Sequence, residues 1–293
     1  MTGETMKACI VCGNTKFAGL AAWHTACPSC DYQSGALEPA INEQRAHDAL
    51  SESDRQQGLK ALRQENFKLI VDQASRLAAP GALKLLDIGS AHGWFLEAAG
   101  ARFDVLGIEP DAAVGKAAAA RGLPVRQGYF PDALEAGETF DVMVFNDVIE
   151  HIPDIQGALA ACHERLNPGG ILILNLPSSR GFFYRLAKLL ARLGWRTPFD
   201  RLWQKGLPSP HVHYFNGENL AALVERQGFD LVDRAELPSL RANGLLQRIR
   251  SAGNINPLAL YCQYLTILCA IPVLSVFPSD IIVCTFRKKG AGL

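Results

Sequence analysis

With 293 residues the chain has room for one full α/β domain and a small appendage, since single domains run to roughly 100 to 200 residues. Lysine plus arginine and aspartate plus glutamate both number 29, a formal net charge of +0. That balance lacks the basic excess of a protein whose main task is to grip nucleic acid phosphates, so nucleic acid is disfavoured as a partner.

The first residues, MTGETMKACIVCGN, carry no basic start and no apolar run of the secretion-signal kind, and the expectation is a cytoplasmic protein. Cys9 and Cys12 form one C-x2-C pair, Cys27 and Cys30 a second. Two such pairs can clamp opposite edges of a tetrahedral metal, and four thiolates suit structural Zn2+. Gly13 after the first pair, and Asp31 with Gly35 after the second, are expected to supply the tight turns of metal knuckles. His24 lies between the pairs. Four cysteines already complete the shell, so a surface histidine is expected there. A closed shell leaves no position for catalysis, which makes this ribbon a structural or docking module. The other four cysteines, Cys162, Cys262, Cys269 and Cys284, sit among apolar neighbours and read as buried free thiols.

Residues 37–58 are polar and fit a linker or exposed helix. From Leu59 apolar residues recur at helical spacing through Leu62, Phe67, Ile70, Val71, Ala74 and Leu77, until Ala79-Pro80-Gly81 ends the run. A short apolar strand, Lys84-Leu85-Leu86-Asp87-Ile88, then enters the loop Gly89-Ser90-Ala91-His92-Gly93, and a helix begins at Trp94. A glycine loop between strand and helix lets a ligand approach backbone N–H groups. The dinucleotide pattern GxGxxG fails, because Ala91 and Trp94 stand where its second and third glycines belong. A second strand from Asp104 ends at Glu109, where a carboxylate can accept hydrogen bonds from a ribose diol. Helix 111–121, a strand at Val125 and Arg126, and Gln127-Gly128-Tyr129 continue the alternation, which implies a parallel sheet with helices on both faces.

A buried strand from Phe140 leaves through Asn146-Asp147 into Glu150-His151-Ile152-Pro153-Asp154, and Asn167-Pro168-Gly169-Gly170 precedes the next strand. Together with DIGSAHG at 87–93 and GIEPD at 107–111, this order resembles class I S-adenosylmethionine-dependent methyltransferases over roughly residues 60–235, particularly the group that includes the ubiquinone-biosynthesis O-methyltransferases. The resemblance implies an α/β fold, a doubly wound seven-stranded Rossmann-like methyltransferase sheet with one antiparallel edge strand, here carrying a small N-terminal zinc ribbon. By motif, Asp87, Gly89, Ser90 and Gly93 would line the methionine part of the cofactor and Glu109 its ribose. Gln127, Gly128 and Tyr129 would cradle the adenine, with Asn146 and Asp147 beside the sulfonium. Ala91 departs from the family's third glycine, and His92 stands where a small residue is usual.

The implied division is 1–36 zinc ribbon, 37–58 linker and 59–293 methyltransferase domain, with a lid insertion at about 178–210 and a hydrophobic insertion at about 238–279. The function expected is methyl transfer to a small or lipid-linked hydroxyl acceptor, a prenylated phenol or a glycan. A hydroxyl must lose its proton on attack, and His151 is the first candidate base, with His211 and His213 the second choice; no third ligand is evident that would turn those two into a metal site. The bland alternative for His151 is that it orients the loop.

Residues 182–196 mix aromatics, leucines and cations as interfacial helices do, with a packed lid helix as the alternative. Residues 258–277 hold twenty residues without a charge. The strands around them, near Phe229 to Ala235 and Ile281 to Phe286, are expected to pair, and Pro272 interrupts the run. These points favour a buried or interfacial hairpin over a membrane span, with room for a peripheral contact at the inner membrane face. Two rival functions stand beside this one. An RNA methyltransferase using the ribbon for substrate selection is disfavoured by neutral charge and by the lack of an Asn-Pro-Pro-Tyr-like motif. A non-catalytic partner-binding protein is disfavoured by intact Asp87, Glu109 and glycines.

Overall fold

The computed structural model describes residues 8–39, 50–251 and 256–290. Three short strands, β1 (Phe17–Ala18), β2 (His24–Ala26) and β3 (Gln33–Gly35), follow the first cysteine pair, and the second pair lies between β2 and β3. Helix α1 (Leu50–Leu77) begins earlier than the apolar periodicity suggested, so the C-terminal part of the expected linker is helical; residues 40–49 lie outside the described residues. Then follow β4 (Lys84–Ile88), α2 (Trp94–Ala99), β5 (Asp104–Glu109), α3 (Ala112–Ala120), β6 (Val125–Gln127) and β7 (Phe140–Asn146). After a 3-10 turn at Ile149–His151 come α4 (Ile155–Arg165) and β8 (Leu166–Pro177). The last third holds α5 (Phe182–Arg192), α6 (Thr197–Leu202), β9 (His213–Tyr214), α7 (Gly217–Glu225), β10 (Phe229–Leu237), α8 (Leu245–Arg250), α9 (Pro257–Leu274) and β11 (Ile281–Lys288).

Seven strands form the main sheet in the order β10-β11-β8-β7-β4-β5-β6. The five strands β6, β5, β4, β7 and β8 run parallel, and their central members are buried on both faces: Leu85, Leu86, Val142 to Phe145 and Ile171 to Leu174 are almost wholly covered. Continuous apolar runs are what a sheet sandwiched between helices requires. The antiparallel strand is not at the edge as expected. β11 lies between β8 and β10 and is antiparallel to both, which places β10 at the edge. β10 and β11 pair from Phe229↔Lys288 to Leu237↔Ile281, as the sequence suggested.

A second sheet runs β1-β2-β3-β9, so the cysteine segment shares a sheet with a strand of the main domain. Its Cys9, Val11, Cys27 and Tyr32 belong to the same buried cluster as Phe215, Leu220 and Phe229. The ribbon is therefore woven into the body instead of hanging from it. His24 is buried, not on the surface: its Nε2 meets Gln33 Oε1 at 2.9 Å, its Nδ1 accepts from the Leu20 N–H at 3.0 Å, and its ring packs against Phe199 and Trp203. Gly35 is a strand residue and not a turn; a β-carbon there would crowd Trp203 at 3.2 Å.

The lid insertion becomes α5 and α6, whose Tyr184, Phe199 and Trp203 form an aromatic core with Trp23 of the ribbon and Tyr214 of β9. The hydrophobic insertion differs from the expected hairpin within 258–277. That stretch is mostly one helix, α9, which continues past Pro272 to Leu274. Pro272 sits in the final turn, where it removes one backbone donor and only two helical residues follow it. Its packing partner is α8, through Leu245 and Ile249 against Leu260, Tyr264 and Leu268. Cys162 and Cys284 are buried as expected, but Cys262 and Cys269 are exposed on α9.

Candidate functional site

The parallel strands β4, β5, β6 and β7 present their C-terminal ends side by side, and the residues that the motifs singled out lie at those ends. Asp87 is buried near the end of β4, accepting from Asn146 Nδ2 at 3.2 Å. Burial, with Glu109 nearby, pushes its carboxyl up to about 8. Gly89, Ala91 and Gly93 all adopt positive φ (72°, 45° and 72°), which coils the loop tightly before α2. A β-carbon at Gly89 would sit 2.5 Å from Val148, so glycine alone lets the loop after β7 approach. Ala91 bears the left-handed conformation at a cost of about 1 kcal/mol. It is held there by its N–H, which donates to Glu109 Oε2 at 2.8 Å. His92 stacks on Trp94, with ring centroids 4.9 Å apart.

Glu109 ends β5, and its other oxygen accepts the Asp111 N–H at 2.8 Å. Burial raises its pKa against these hydrogen bonds. Gln127 closes β6 in register with Glu109, Gly128 donates its N–H to Glu109 O at 3.1 Å, and Tyr129 is exposed. Asn146 ends β7; Asp147 follows at φ 55°, its N–H on Asn175 O and its carboxylate paired with Arg63 of α1 at 3.2 Å. Ser90 Oγ and Asn175 Oδ1 are buried at this edge without a hydrogen-bond partner among the described residues. Two unsatisfied polar atoms, two carboxyls and a glycine loop fit a ligand with an ammonium, a diol and an amphoteric tail, as S-adenosylmethionine has.

Beyond Asp147, the 3-10 turn carries Glu150 and His151. Glu150 is 1% exposed, and neither carboxyl oxygen has a hydrogen-bond partner among the described residues. Burial and then the charge of Asp147 push its pKa well up. His151 Nδ1 lies 2.9 Å from Pro210 O, so the proton sits on Nδ1 and Nε2 keeps its lone pair, 3.9 Å from Glu150 Oε1. His211 stands on the other side, Nε2 again 3.9 Å from Glu150 Oε1 and 2.8 Å from Gln204 Nε2. The ligand atoms of Glu150, His151 and His211 lie within 4.8 Å of one another. The pair His211 and His213 gains no third ligand; instead His211 meets Glu150 and His151, adjacent to each other in sequence and distant from His211, and this trio has the geometry to take a proton or a divalent cation.

His213 does not join them. Its Nδ1 accepts from Tyr32 OH at 2.5 Å and its Nε2 donates to Ile152 O at 3.0 Å. With both nitrogens committed and burial lowering its pKa to about 4, it is a poor second-choice base and serves as a bridge from ribbon to body.

A cavity of about 520 Å³ opens beside Asp147 and Asn175. Its walls are apolar residues of α1 and α5, including Leu59, Leu62, Phe67, Phe183, Leu186 and Leu190, with Arg63, Arg201 and Arg248 among them. None of the three histidines lines it. The cluster meets the cavity through Asp147, which lines the cavity and acts on Glu150.

In the ribbon, Cys9 Sγ lies 3.6 Å from Cys30 Sγ and Cys12 Sγ 3.5 Å from Cys27 Sγ. Tetrahedral zinc thiolates at about 2.3 Å from the metal are about 3.8 Å apart, so the four residues fit the ion. Gly13 and Asp31 take φ 78° and 59° at the two knuckles, and their N–H groups return to the carbonyls of Cys9 and Cys27. Burial opposes the Cys27 thiolate, but the backbone N–H groups of Ser29 and Cys30 and the neighbouring thiols bring it down to about 7.

Arg63, Glu150 and Tyr32 escaped sequence reasoning as site residues. A single arginine on a polar helix and a tyrosine beside a cysteine pair carry no pattern; Glu150 stood inside the EHIPD motif, and its burial was the hidden property.

A family model described as a methyltransferase domain matches residues 52–234. A ubiquinone biosynthesis O-methyltransferase from Cereibacter sphaeroides is 31% identical over 162 residues, covering 52% of this chain and 62% of the relative. Its counterpart from Paramagnetospirillum magneticum is 35% identical over 133 residues, covering 42% and 53%. The chain thus spans less than two thirds of the length of these relatives. Among solved structures, a SAM-dependent methyltransferase from Thermotoga maritima superposes with a TM-score of 0.52 at 18% identity, covering 83% of this chain and 97% of that one. The cyclopropane synthase MmaA2 from Mycobacterium tuberculosis gives 0.52 at 19%, covering 75% and 83%. The chain belongs to the methyltransferase domain family, with the fold of S-adenosylmethionine-dependent methyltransferases.

Proposed function

We propose that this S-adenosylmethionine-dependent methyltransferase acts on a hydroxyl of an apolar acceptor linked to a lipid, such as a prenylated phenol or a lipid-carried glycan. The observation that carries this reading is the cavity of about 520 Å³, mostly apolar in its walls with Arg63, Arg201 and Arg248 set among them, and with Asp147 and Asn175 at the end where the methyl donor would lie. The ubiquinone-related names of the relatives agree with such an acceptor. Asp87, Gly89, Ser90 and Gly93 would hold the methionine portion of the cofactor and Glu109 the ribose, with Gln127, Gly128 and Tyr129 at the adenine and Asn146 and Asp147 near the sulfonium. The bound cofactor supplies an electrophilic methyl group.

The chain's own residues align the acceptor and manage its proton. Apolar walls exclude water and orient the ring or prenyl chain, which turns an encounter into a positioned attack. His151 does not line the cavity, so the hydroxyl proton would reach its Nε2 by relay past Asp147, which does; Pro210 O holds the Nδ1 proton in place and leaves Nε2 to receive it. Burial raises the pKa of the Glu150 carboxyl beside Nε2, and the positive charge gained by the imidazole acts in the opposite direction on it. Replacing His151 by alanine should cut kcat about 10²- to 10⁴-fold at unchanged cofactor affinity. An unaltered kcat would remove His151 from the mechanism. Incubation with methyl-labelled cofactor and fractionated extract tests the acceptor: label is expected in the lipid fraction, and label confined to RNA or water-soluble sugar would overturn the reading.

A further inference from the structure

We propose that α9, together with the exposed face of α5, docks this protein on the surface of an anionic lipid bilayer beside the mouth of the cavity. Helix α9 has eighteen residues, no charge among them, and a length and composition sufficient to cross a membrane. Leu260 is its one buried residue. One side rests on α8, and the stripe pointing away exposes Leu258 by 75%, Leu265 by 56% and Val273 by 62%, continued by Val276 at 79%. A helix apolar on every side has no stable place in water once only one side is packed.

A second apolar surface adjoins it. On α5, Tyr184, Ala187 and Ala191 face the body, while Leu186, Leu189 and then Leu193 and Trp195 are exposed. The two surfaces meet where Phe182 packs on Phe277 at 5.0 Å and donates its N–H to Pro278 O at 3.0 Å. Leu186 also lines the cavity, so the apolar surface runs to its wall.

Charge selects the occupant. Residues 181–197 contain Arg185, Lys188, Arg192 and Arg196, and residues 238–279 contain Arg241, Arg248 and Arg250, with no carboxylate in either stretch of an otherwise balanced chain. Of these, Arg185, Arg192, Arg196 and Arg250 are exposed. Leucines interleaved with arginines suit the boundary of acyl chains and anionic head groups, where the cations reach outward. Spanning is excluded by the sheet. Leu237 at the end of β10 pairs with Ile281 at the start of β11, so the chain leaves and returns at one point, and α9 must lie along the membrane face.

Loading of the acceptor directly from the bilayer rests on the proposed lipid-linked acceptor, whereas docking is measurable without turnover. The test is flotation of the full chain with vesicles of phosphatidylglycerol and phosphatidylcholine, or phosphatidylcholine alone, and emission from an environment-sensitive fluorophore on Cys269. The chain is expected to float with the anionic vesicles and the fluorophore to brighten. L258Q/L265Q, on exposed positions, should weaken partitioning roughly a hundredfold, and R185Q/R192Q should erase the preference for anionic lipid. Failure to float, flotation unaffected by L258Q/L265Q, or a dimer in lipid-free solution that these substitutions dissociate with no vesicle binding would overturn the proposal. Docking with no label entering lipid would leave it standing and sink the acceptor reading alone.

Discussion

The cysteine ribbon and the α8–α9 insertion are both additions to the seven-stranded sheet, and they meet the body in opposite ways. The ribbon shares a strand pairing, a buried cluster and side-chain bonds with it: Gln33↔Tyr214 and Ser34↔His213 in register, Tyr32 on His213, Asn219 Nδ2 on Cys30 O at 2.9 Å, and Arg226 on Val11 O. The insertion touches the body through α8 against α1 and through Phe277 on Phe182, and leaves most of α9 uncovered. An added segment that buries polar groups must satisfy them locally and becomes part of the frame; one that exposes apolar surface keeps that surface for something else. The ribbon also sits directly behind His211, whose neighbour Val212 accepts the Gly35 N–H and donates its own to Glu150 O. Of the two roles its closed metal shell suggested, structural or docking, these contacts favour the structural one: the ribbon backs the candidate catalytic cluster.

The contrast is sharpest on metal removal. A four-thiolate zinc site stabilises small folds by on the order of 10 kcal/mol. Stripping it, or Cys27→Ser, should therefore unfold the ribbon and abolish turnover, read by thermal melting and kcat; a metal-free chain with unchanged melting and turnover would break the comparison. Deleting α9 should lower the melting temperature far less, since it uncovers only the buried Leu245 and Ile249 of α8.

Acidification comes next. His24 and His213, both at the seam, are lowered to about 4 by burial, below the ordinary 6.5. The unfolded chain takes up protons first, so their contribution is complete above pH 6.5 and is lost as pH falls toward 4, at most a few kcal/mol each. Melting temperature measured from pH 7.5 to 5 should fall in the metal-loaded chain, and a flat profile would show that the seam is not what holds the ribbon. Tyr32→Phe removes one buried hydrogen bond and leaves His213 Nδ1 short of a partner, a loss of about 1–3 kcal/mol. Its kcat should fall while cofactor affinity holds; equal losses in both would make Tyr32 merely structural. Smallest of all, Leu265→Gln on exposed α9 should change stability by less than about 0.5 kcal/mol in lipid-free buffer. A loss above 1 kcal/mol would mean that α9 is packed after all.

Most of the sheet and the cofactor edge could be read in advance, because each depends on residues close in sequence. Apolar runs mark buried parallel strands, and DIGSAHG, GIEPD and the Asn146-Asp147 tip each end a strand locally. Burial was where the reading slipped: His24 went from surface to core, Cys262 and Cys269 from core to surface, and Pro272 did not break its helix. Each depends on what lies across space from the residue, which periodicity does not encode.

The sequence by itself determined the metal-ligand spacing, the strand-loop-helix order and the pairing of the last two strands, since these follow from local spacing and from the geometry of a parallel sheet. Only the tertiary structure decided that Glu150 joins His151 to His211 across some sixty residues of chain, that the ribbon's third strand is completed by β9, and that the longest apolar helix is left uncovered. The physical reason is common to all three. Desolvation and long-range contact are properties of the assembled fold, and no segment carries them alone.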